Sequence, residues 1–289
     1  MIVNASGCLV ALVAAEVAQE LDAFVTKTVT PQPRGGNEPI RIAETDGGML
    51  NSIGLANPGI EAFRAETLPR LAALGVPLWV SVGGFCAEDY AELCRRLDGE
   101  AAVDTIELNV SCPNVAEPEG EVEEIVAAAR AATSKPLYAK LSPGVPDIAA
   151  LARSAARAGA DGLSLVNTIR GLALDAHTLA PTLSTATGGL SGPALRPIAL
   201  AAVFACFRAT GLPIVGMGGV ESGRHALELI AAGANACALG TVLFRDPAAP
   251  ARIRAELEAE AAALGFATPL AARGAAHGEE GRRALARVA

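Results

Sequence analysis

Three kinds of side chain in this sequence could do chemistry together: a thiol set between amides, two lysines, and an amide beside a hydroxyl. Cys112 stands in Asn109-Val110-Ser111-Cys112-Pro113-Asn114, flanked by two amides and followed by a proline that opens a loop. A thiol in polar, reachable surroundings can act as a base or nucleophile. A lone cysteine is also a common small packing residue, and the residues alone leave both readings open. The chain has 23 basic residues, and only Lys27, Lys135 and Lys140 among them are lysines. Lys27 and Lys140 fall at the polar ends of the apolar runs Val25-Thr26-Lys27-Thr28 and Tyr138-Ala139-Lys140-Leu141. A compact ammonium in a tight site cannot be exchanged for a planar guanidinium. The competing explanation is chance placement, with the stems snorkelling past the core. Val166-Asn167-Thr168 adds an amide and a hydroxyl at the end of another such run. Amides and ammonium groups suit a flat, anionic, hydrogen-bonding substrate, and a thiol near them suits proton transfer.

Glycines mark a second chemistry. Gly218-Gly219 precedes Val220-Glu221-Ser222, Gly240-Thr241 follows another apolar run, and Gly188-Gly189-Leu190-Ser191-Gly192-Pro193 reads as a glycine-rich turn ahead of a helix. Such turns let backbone N–H groups approach a phosphate, helped by a helix N-terminus. Together they point to a phosphorylated ligand. The sequence has no G-x-x-x-x-G-K-[ST] motif, so a nucleoside triphosphate is not indicated.

The elements that must position these residues are eight short, continuously apolar runs: 2–6, 23–28, 77–84, 105–110, 136–141, 162–167, 213–218 and 236–240. Continuous rather than alternating hydrophobicity is how strands buried on both faces read. Alanine-rich helical stretches separate them, at about 61–74, 87–98, 119–133, 147–158, 194–209, 223–233 and 248–264. This pattern predicts an α/β chain folded as a single (β/α)₈ TIM barrel over residues 1–265, with a C-terminal tail over 266–289. A doubly wound open sheet is the competitor, but the glycine fingerprint after its first strand is absent. In a barrel, chemistry gathers at the C-terminal ends of the strands, which is where the lysines and amides stand. Residues 31–60, rich in Pro and Gly, are expected to form a long functional loop.

Composition narrows the classes further. The chain has 289 residues, is 51% hydrophobic, and carries a formal charge of −8, which disfavours a broad nucleic-acid surface. Aromatic residues at 3% are too few for base-stacking platforms. No stretch of about 18 residues is expected to be apolar enough to span a bilayer. The six cysteines have no C-x-x-C spacing and fit reduced thiols in a cytoplasmic protein. With three histidines, no metal site is expected.

The motifs, taken together, resemble those of the class 1 dihydroorotate dehydrogenases, most closely the NAD-linked class 1B. The resemblance rests on Lys27-Thr28-Val29-Thr30, Pro33-Arg34-Gly35-Gly36-Asn37, Met49-Leu50-Asn51-Ser52-Ile53-Gly54-Leu55-Ala56-Asn57-Pro58-Gly59, the Asn109 to Asn114 segment, Lys140-Leu141-Ser142-Pro143, Asn167-Thr168-Ile169-Arg170-Gly171 and the Gly188 to Pro193 segment. It implies an FMN-containing barrel that oxidises dihydroorotate to orotate in pyrimidine synthesis. Cys112 would take a proton from C5 while hydride leaves C6 for the flavin, with Lys27 between flavin and substrate. Lys27, Asn51, Asn109, Asn114, Asn167 and Thr168, with the backbone of Ile53, Gly54 and Leu55, would bind substrate. Ala5, Ser6, Lys27, Thr28, Asn51, Asn109, Lys140, Val166, Gly192, Gly218, Gly219, Gly240 and Thr241 would contact FMN, with Lys140 facing its ring. A partner subunit carrying FAD and an iron–sulfur cluster, and a homo-oligomeric core, are also implied. Related alternatives are an enzyme acting on dihydrouracil, a fumarate-linked form, or a non-catalytic flavin-binding barrel. Two features depart from the resemblance: the stretch after Asn114 is short, and the usual leading hairpin is missing.

Overall fold

The computed structural model describes residues 1–110 and 122–278. Its centre is a sheet of eight parallel strands: β1 (Ile2–Asn4), β2 (Phe24–Val25), β5 (Leu78–Val82), β6 (Thr105–Asn109), β7 (Leu137–Leu141), β8 (Gly162–Leu165), β11 (Ile214–Met217) and β12 (Ala236–Leu239). Each falls inside one of the eight apolar runs, and β5, β6, β8, β11 and β12 are buried along their whole length. The sheet order runs from β1 through β12, β11, β8, β7, β6 and β5 to β2. A parallel bridge between Val3 and Ala23 joins the two ends. Asn4 reinforces that seam: its amide donates to the Val25 carbonyl at 2.7 Å and accepts from the Val25 N–H at 2.8 Å. A buried amide thus does the work of ladder hydrogen bonds where the closing strands are shortest. The result is the expected TIM barrel.

The outer ring consists of α1 (Ala15–Gln19), α2 (Gly59–Ala62) continuing through a π turn into α3 (Leu68–Ala72), α4 (Ala87–Asp98), α5 (Val122–Ala132), α6 (Ile148–Arg157), α7 (Arg196–Thr210), α8 (Gly223–Ala232) and α9 (Ala249–Ala263). Local signals set their ends. Asp147 caps α6 through the Ala150 N–H, Ser222 caps α8 through the His225 N–H, and Gly211 ends α7 in the left-handed conformation. The described part of the C-terminal segment folds back on α8. His277 stacks on Phe204, and Arg273 donates to the Gly233 carbonyl at 2.8 Å.

Three expectations need correction. Residues 31–60 are not all loop: β3 (Ile42–Thr45) and β4 (Gly48–Asn51) form an antiparallel hairpin. Residues Thr187–Ser191 are a strand, β10, and not a turn, pairing with β4 and with β9 (Ile169–Leu172). These four strands form a second sheet of order β3-β4-β10-β9, whose glycines allow close approach: a Cβ on Gly188 would lie 2.6 Å from the Asn51 carbonyl oxygen. Finally, residues 193–210 do reach the length and hydropathy of a membrane span, with a mean of 1.2. Its Leu, Ile, Val and Phe residues, with six alanines, raise that mean. In the fold this stretch is largely α7, which buries Ala199, Ala202, Val203, Cys206 and Phe207.

Two cores follow from the strand alternation. The large one lies between barrel and helices. The small one fills the barrel itself with Val3, Ala23, Val25, Trp79, Val215, Met217, Ala236 and Ala238, and the Trp79 and Tyr138 rings lie 4.7 Å apart. Side chains two residues further along these strands emerge at the C-terminal mouth.

Candidate active site

The mouth of the barrel and the small sheet enclose one cleft. From the barrel come Ala5 and Ser6 after β1, Lys27 and Thr28 after β2, Asn109 at the end of β6, Lys140 on β7, and Val166, Asn167 and Thr168 after β8. Gly218 and Gly219 follow β11, and Gly240 and Thr241 follow β12. From the small sheet and its connections come Asn51, Ile53, Gly54, Leu55 and Gly192. The cleft therefore gathers every site residue named from the sequence except Cys112 and Asn114, which lie outside the described residues.

Hydrogen bonds fix the amides in a chain. The Asn167 amide donates to Asn109 Oδ1 at 3.0 Å, and Asn109 Nδ2 donates to Thr28 Oγ1 at 3.2 Å. Asn167 Oδ1 accepts the Thr168 N–H at 2.9 Å. Thr28 in turn lies 3.1 Å from Ser81 Oγ and 3.3 Å from Ser6 Oγ. Asn109 is held from behind as well, because Tyr90 donates its hydroxyl proton to the Asn109 carbonyl at 2.9 Å. Such a chain presets the direction of each amide before any ligand arrives. On the other wall, Asn51 Nδ2 donates to the Gly189 carbonyl at 3.3 Å, which ties β4 to β10.

The turn after β4 is shaped by residues that carry the motif but do not line the cleft. Gly54 and Leu55 both have positive φ, 72° and 57°. Gly54 packs so closely on Asn37 that a Cβ would lie 2.4 Å from Asn37 Oδ1. Asn37 donates to Ser52 Oγ at 2.8 Å, Arg34 to the Gly54 carbonyl at 3.3 Å, and Asn57 to the Leu55 carbonyl at 2.7 Å. Side chains thereby supply the hydrogen bonds that this strained turn cannot make for itself.

Charge is unevenly placed. Lys27 runs alongside Gly7, and a Cβ there would sit 3.3 Å from its Nζ. Lys140 is buried, with Glu107 Oε1 3.8 Å from its Nζ. At the glycine-rich end the lining contains backbone and hydroxyl groups: Thr241 Oγ1 donates to Ser191 Oγ at 2.8 Å, and Gly192, Gly218 and Gly219 have φ of 99°, 127° and 68°. Glycines in these conformations leave room for a ligand to approach the backbone, a setting that suits an anion. The Glu221 carboxylate there is taken up by Arg245.

Sequence reasoning assigned no role to several lining residues: Gly7, Cys8, Ile42, Met49, Ser191, Leu195, Met217, Val220, Glu221, Val242 and Phe244. Most are apolar and carried no distinguishing signal. Cys8 had one in its position just past the first strand. Burial pushes its thiol up, while Lys140 and Lys27 pull it partly back. Cys94, Cys206 and Cys237, by contrast, are pushed up to about 12 by burial and behave as packing residues.

A barrel with an amide-lined, lysine-bearing mouth beside a glycine-rich end is built to hold a polar, anionic ligand, and the comparisons make the class particular. The dihydroorotate dehydrogenase family profile matches residues 1–260. A Geobacter sp. strain M21 protein named dihydroorotate dehydrogenase B (NAD(+)), catalytic subunit, is 45% identical over 256 residues, covering 84% of each chain. One of the same name from Desulforudis audaxviator is 47% identical over 246 residues, covering 82% of this chain and 80% of that one. A Solibacter usitatus relative, 47% identical over 245 residues and covering 82% and 80%, is provisionally named dihydroorotate dehydrogenase A (fumarate). Among solved structures, the fold is similar to DHODH from Eimeria tenella in complex with ferulenol. The TM-score is 0.79 at 23% identity, with 96% of this chain and 85% of that one covered. The chain belongs to the dihydroorotate dehydrogenase family.

Proposed function

We propose that this protein oxidises dihydroorotate to orotate with FMN, as the NAD-linked catalytic subunit of pyrimidine synthesis. The observation that carries this reading is the convergence of Lys27, Asn51, Asn109, Lys140, Asn167 and Thr168 on one cleft in a chain of this family. The donor set fits the cofactor: N–H groups near Gly192, Gly218, Gly219, Gly240 and Thr241 suit its phosphate, and Lys140 suits the charge of its ring. When bound, FMN supplies the hydride acceptor.

The chain's own residues do the rest. Asn51, Asn109, Asn114 and Asn167 pair with the N–H and C=O groups of the pyrimidine ring, and a molecule that leaves them unsatisfied is rejected. Lys27 attracts the substrate carboxylate locally, against the net charge of −8. Cys112 takes the C5 proton, a step worth about two to four powers of ten for a positioned base. The backbone of the turn from Ile53 to Leu55, which borders the cleft, adds contacts to the ring.

Electrons leave through a partner subunit with FAD and an iron–sulfur cluster; the names of the relatives as catalytic subunits support a separate partner. The catalytic unit, residues 1–265, works in the cytoplasm. A homo-oligomeric core belongs to the same proposal.

Anaerobic bleaching of the yellow protein tests the reading. Dihydroorotate is expected to bleach it and dihydrouracil to leave it coloured. Cys112→Ala is expected to keep FMN and orotate binding while losing most bleaching at neutral pH. Bleaching by dihydrouracil alone would reassign the substrate, and undiminished bleaching of Cys112→Ala would remove the thiol from the reaction.

A further inference from the structure

Glu107 and Lys140 are the only buried charged side chains among the described residues, at 1% and 6% exposure. They face each other across neighbouring strands, Nζ to Oε1 at 3.8 Å, too far for a hydrogen bond. Glu107 Oε1 accepts none from the described residues. Stability does not account for such a pair. Taking two charges out of water costs several kcal/mol per ion, and an apolar pair of equal volume generally packs as well or better.

Their positions say more. Asn109 and Lys140 are register partners at the top of β6 and β7, and both line the cleft. Glu107 is two residues below Asn109 on the same face of β6, paired in register with Tyr138 and Ser81. Below it the interior is filled by Trp79, Tyr138 and aliphatic side chains. The carboxylate therefore sits one layer beneath the cleft floor, behind the ammonium as seen from a ligand. In so dry a place its field reaches the ligand with little screening.

We propose that Glu107 is the counter-charge that sets how strongly Lys140 stabilises negative charge on the ring bound above it, and so sets the reduction potential of the bound flavin. It touches no substrate and acts through Lys140, as a positioning and tuning residue. The inference rests on Lys140 facing the flavin, as the proposed function has it. Removing the carboxylate takes away its opposing field, so more of the Lys140 charge acts on the ring and the reduced, more negative flavin is favoured. Removing Lys140 does the opposite.

The test is the midpoint potential of FMN in the purified holoenzyme, measured by dye-equilibrated titration without substrate. Glu107→Gln is expected to raise the ratio of reduced to oxidised flavin at fixed ambient potential about tenfold, an upward shift of about 30 mV for a two-electron couple. Glu107→Asp, which keeps the charge, is expected to stay near wild type, and Lys140→Met to shift downward. Should Glu107→Gln fail to fold, Glu107→Met replaces it. An unchanged or lowered potential without the carboxylate, alongside a lowered one in Lys140→Met, would overturn the role of Glu107 alone. No shift in any variant would overturn the flavin-facing role of Lys140, and this inference with it.

Discussion

Lys140 and Asn51 line the same cleft but come from unlike parts of the molecule. Lys140 belongs to a barrel strand flanked by β6 and β8, with helices outside and a packed interior below. Asn51 ends a strand whose neighbour β3 alternates between exposed and buried residues, in a sheet resting on a small core of Ala43, Leu50 and Leu183. A site built this way has one wall fixed by the main fold and one hung on a module with few apolar contacts. The first suits groups that must hold their geometry through the reaction, and the second suits groups that close on a ligand and let it go.

The contrast can be broken from either side. The largest expected effect is Asn109→Ala, which removes a proposed substrate contact and also the hydrogen bonds that orient Thr28 and Asn167. A fall in kcat/KM of about a hundredfold to a thousandfold is expected in steady-state assays, with kcat carrying much of it. A loss confined to KM would mean that the barrel wall is no more committed to catalysis than the sheet wall. Next is Leu50→Ala, which truncates the cluster that Leu50 forms with Ala43 and Leu183 in the second sheet. It should destabilise the sheet by about 2–4 kcal/mol. Amide exchange should accelerate in β3, β4, β9 and β10 while the barrel strands stay protected. Exchange that speeds up everywhere would show the two regions to be one cooperative unit.

Asn51→Ala is expected to cost about tenfold, chiefly in KM for dihydroorotate, because it removes a contact from the softer wall. The smallest effect concerns the barrel seam. Burial alone would raise the Asp22 carboxyl, but Arg254 and the Ile2 N–H outweigh it and hold it below its usual 3.8. A depressed carboxyl stabilises the fold above its unfolded value and loses that contribution as pH falls through the folded one. The pair is about a third exposed, so solvent screening keeps its worth near or below about 1 kcal/mol. Asp22→Asn should therefore lower the Tm slightly at neutral pH, with the difference from wild type closing below pH 3.8.

The same contrast explains what could be read in advance. Buried parallel strands announce themselves as uninterrupted apolar runs, so the barrel and the places of Lys27, Asn109, Lys140 and Asn167 were legible. The small sheet was not. Ile42–Thr45 is short and half exposed, and Thr187–Ser191 is short and glycine-bearing, with a partner far away in sequence, as Asn51 and Gly189 are. The motif around Gly54 was visible, but the bracing roles of Arg34, Asn37 and Asn57 depend on a turn geometry that residue types alone do not specify. Glu107 looked like any polar residue in an apolar run until the register placed it behind Lys140.

In the proposed reading, both walls grip one flat pyrimidine above a flavin. A crystal structure with FMN and orotate tests it most directly. Orotate is expected between Asn51 on one side and Asn109 and Asn167 on the other, with Lys140 against the flavin ring. Orotate bound away from these amides, or a flavin ring out of reach of Lys140, would contradict it.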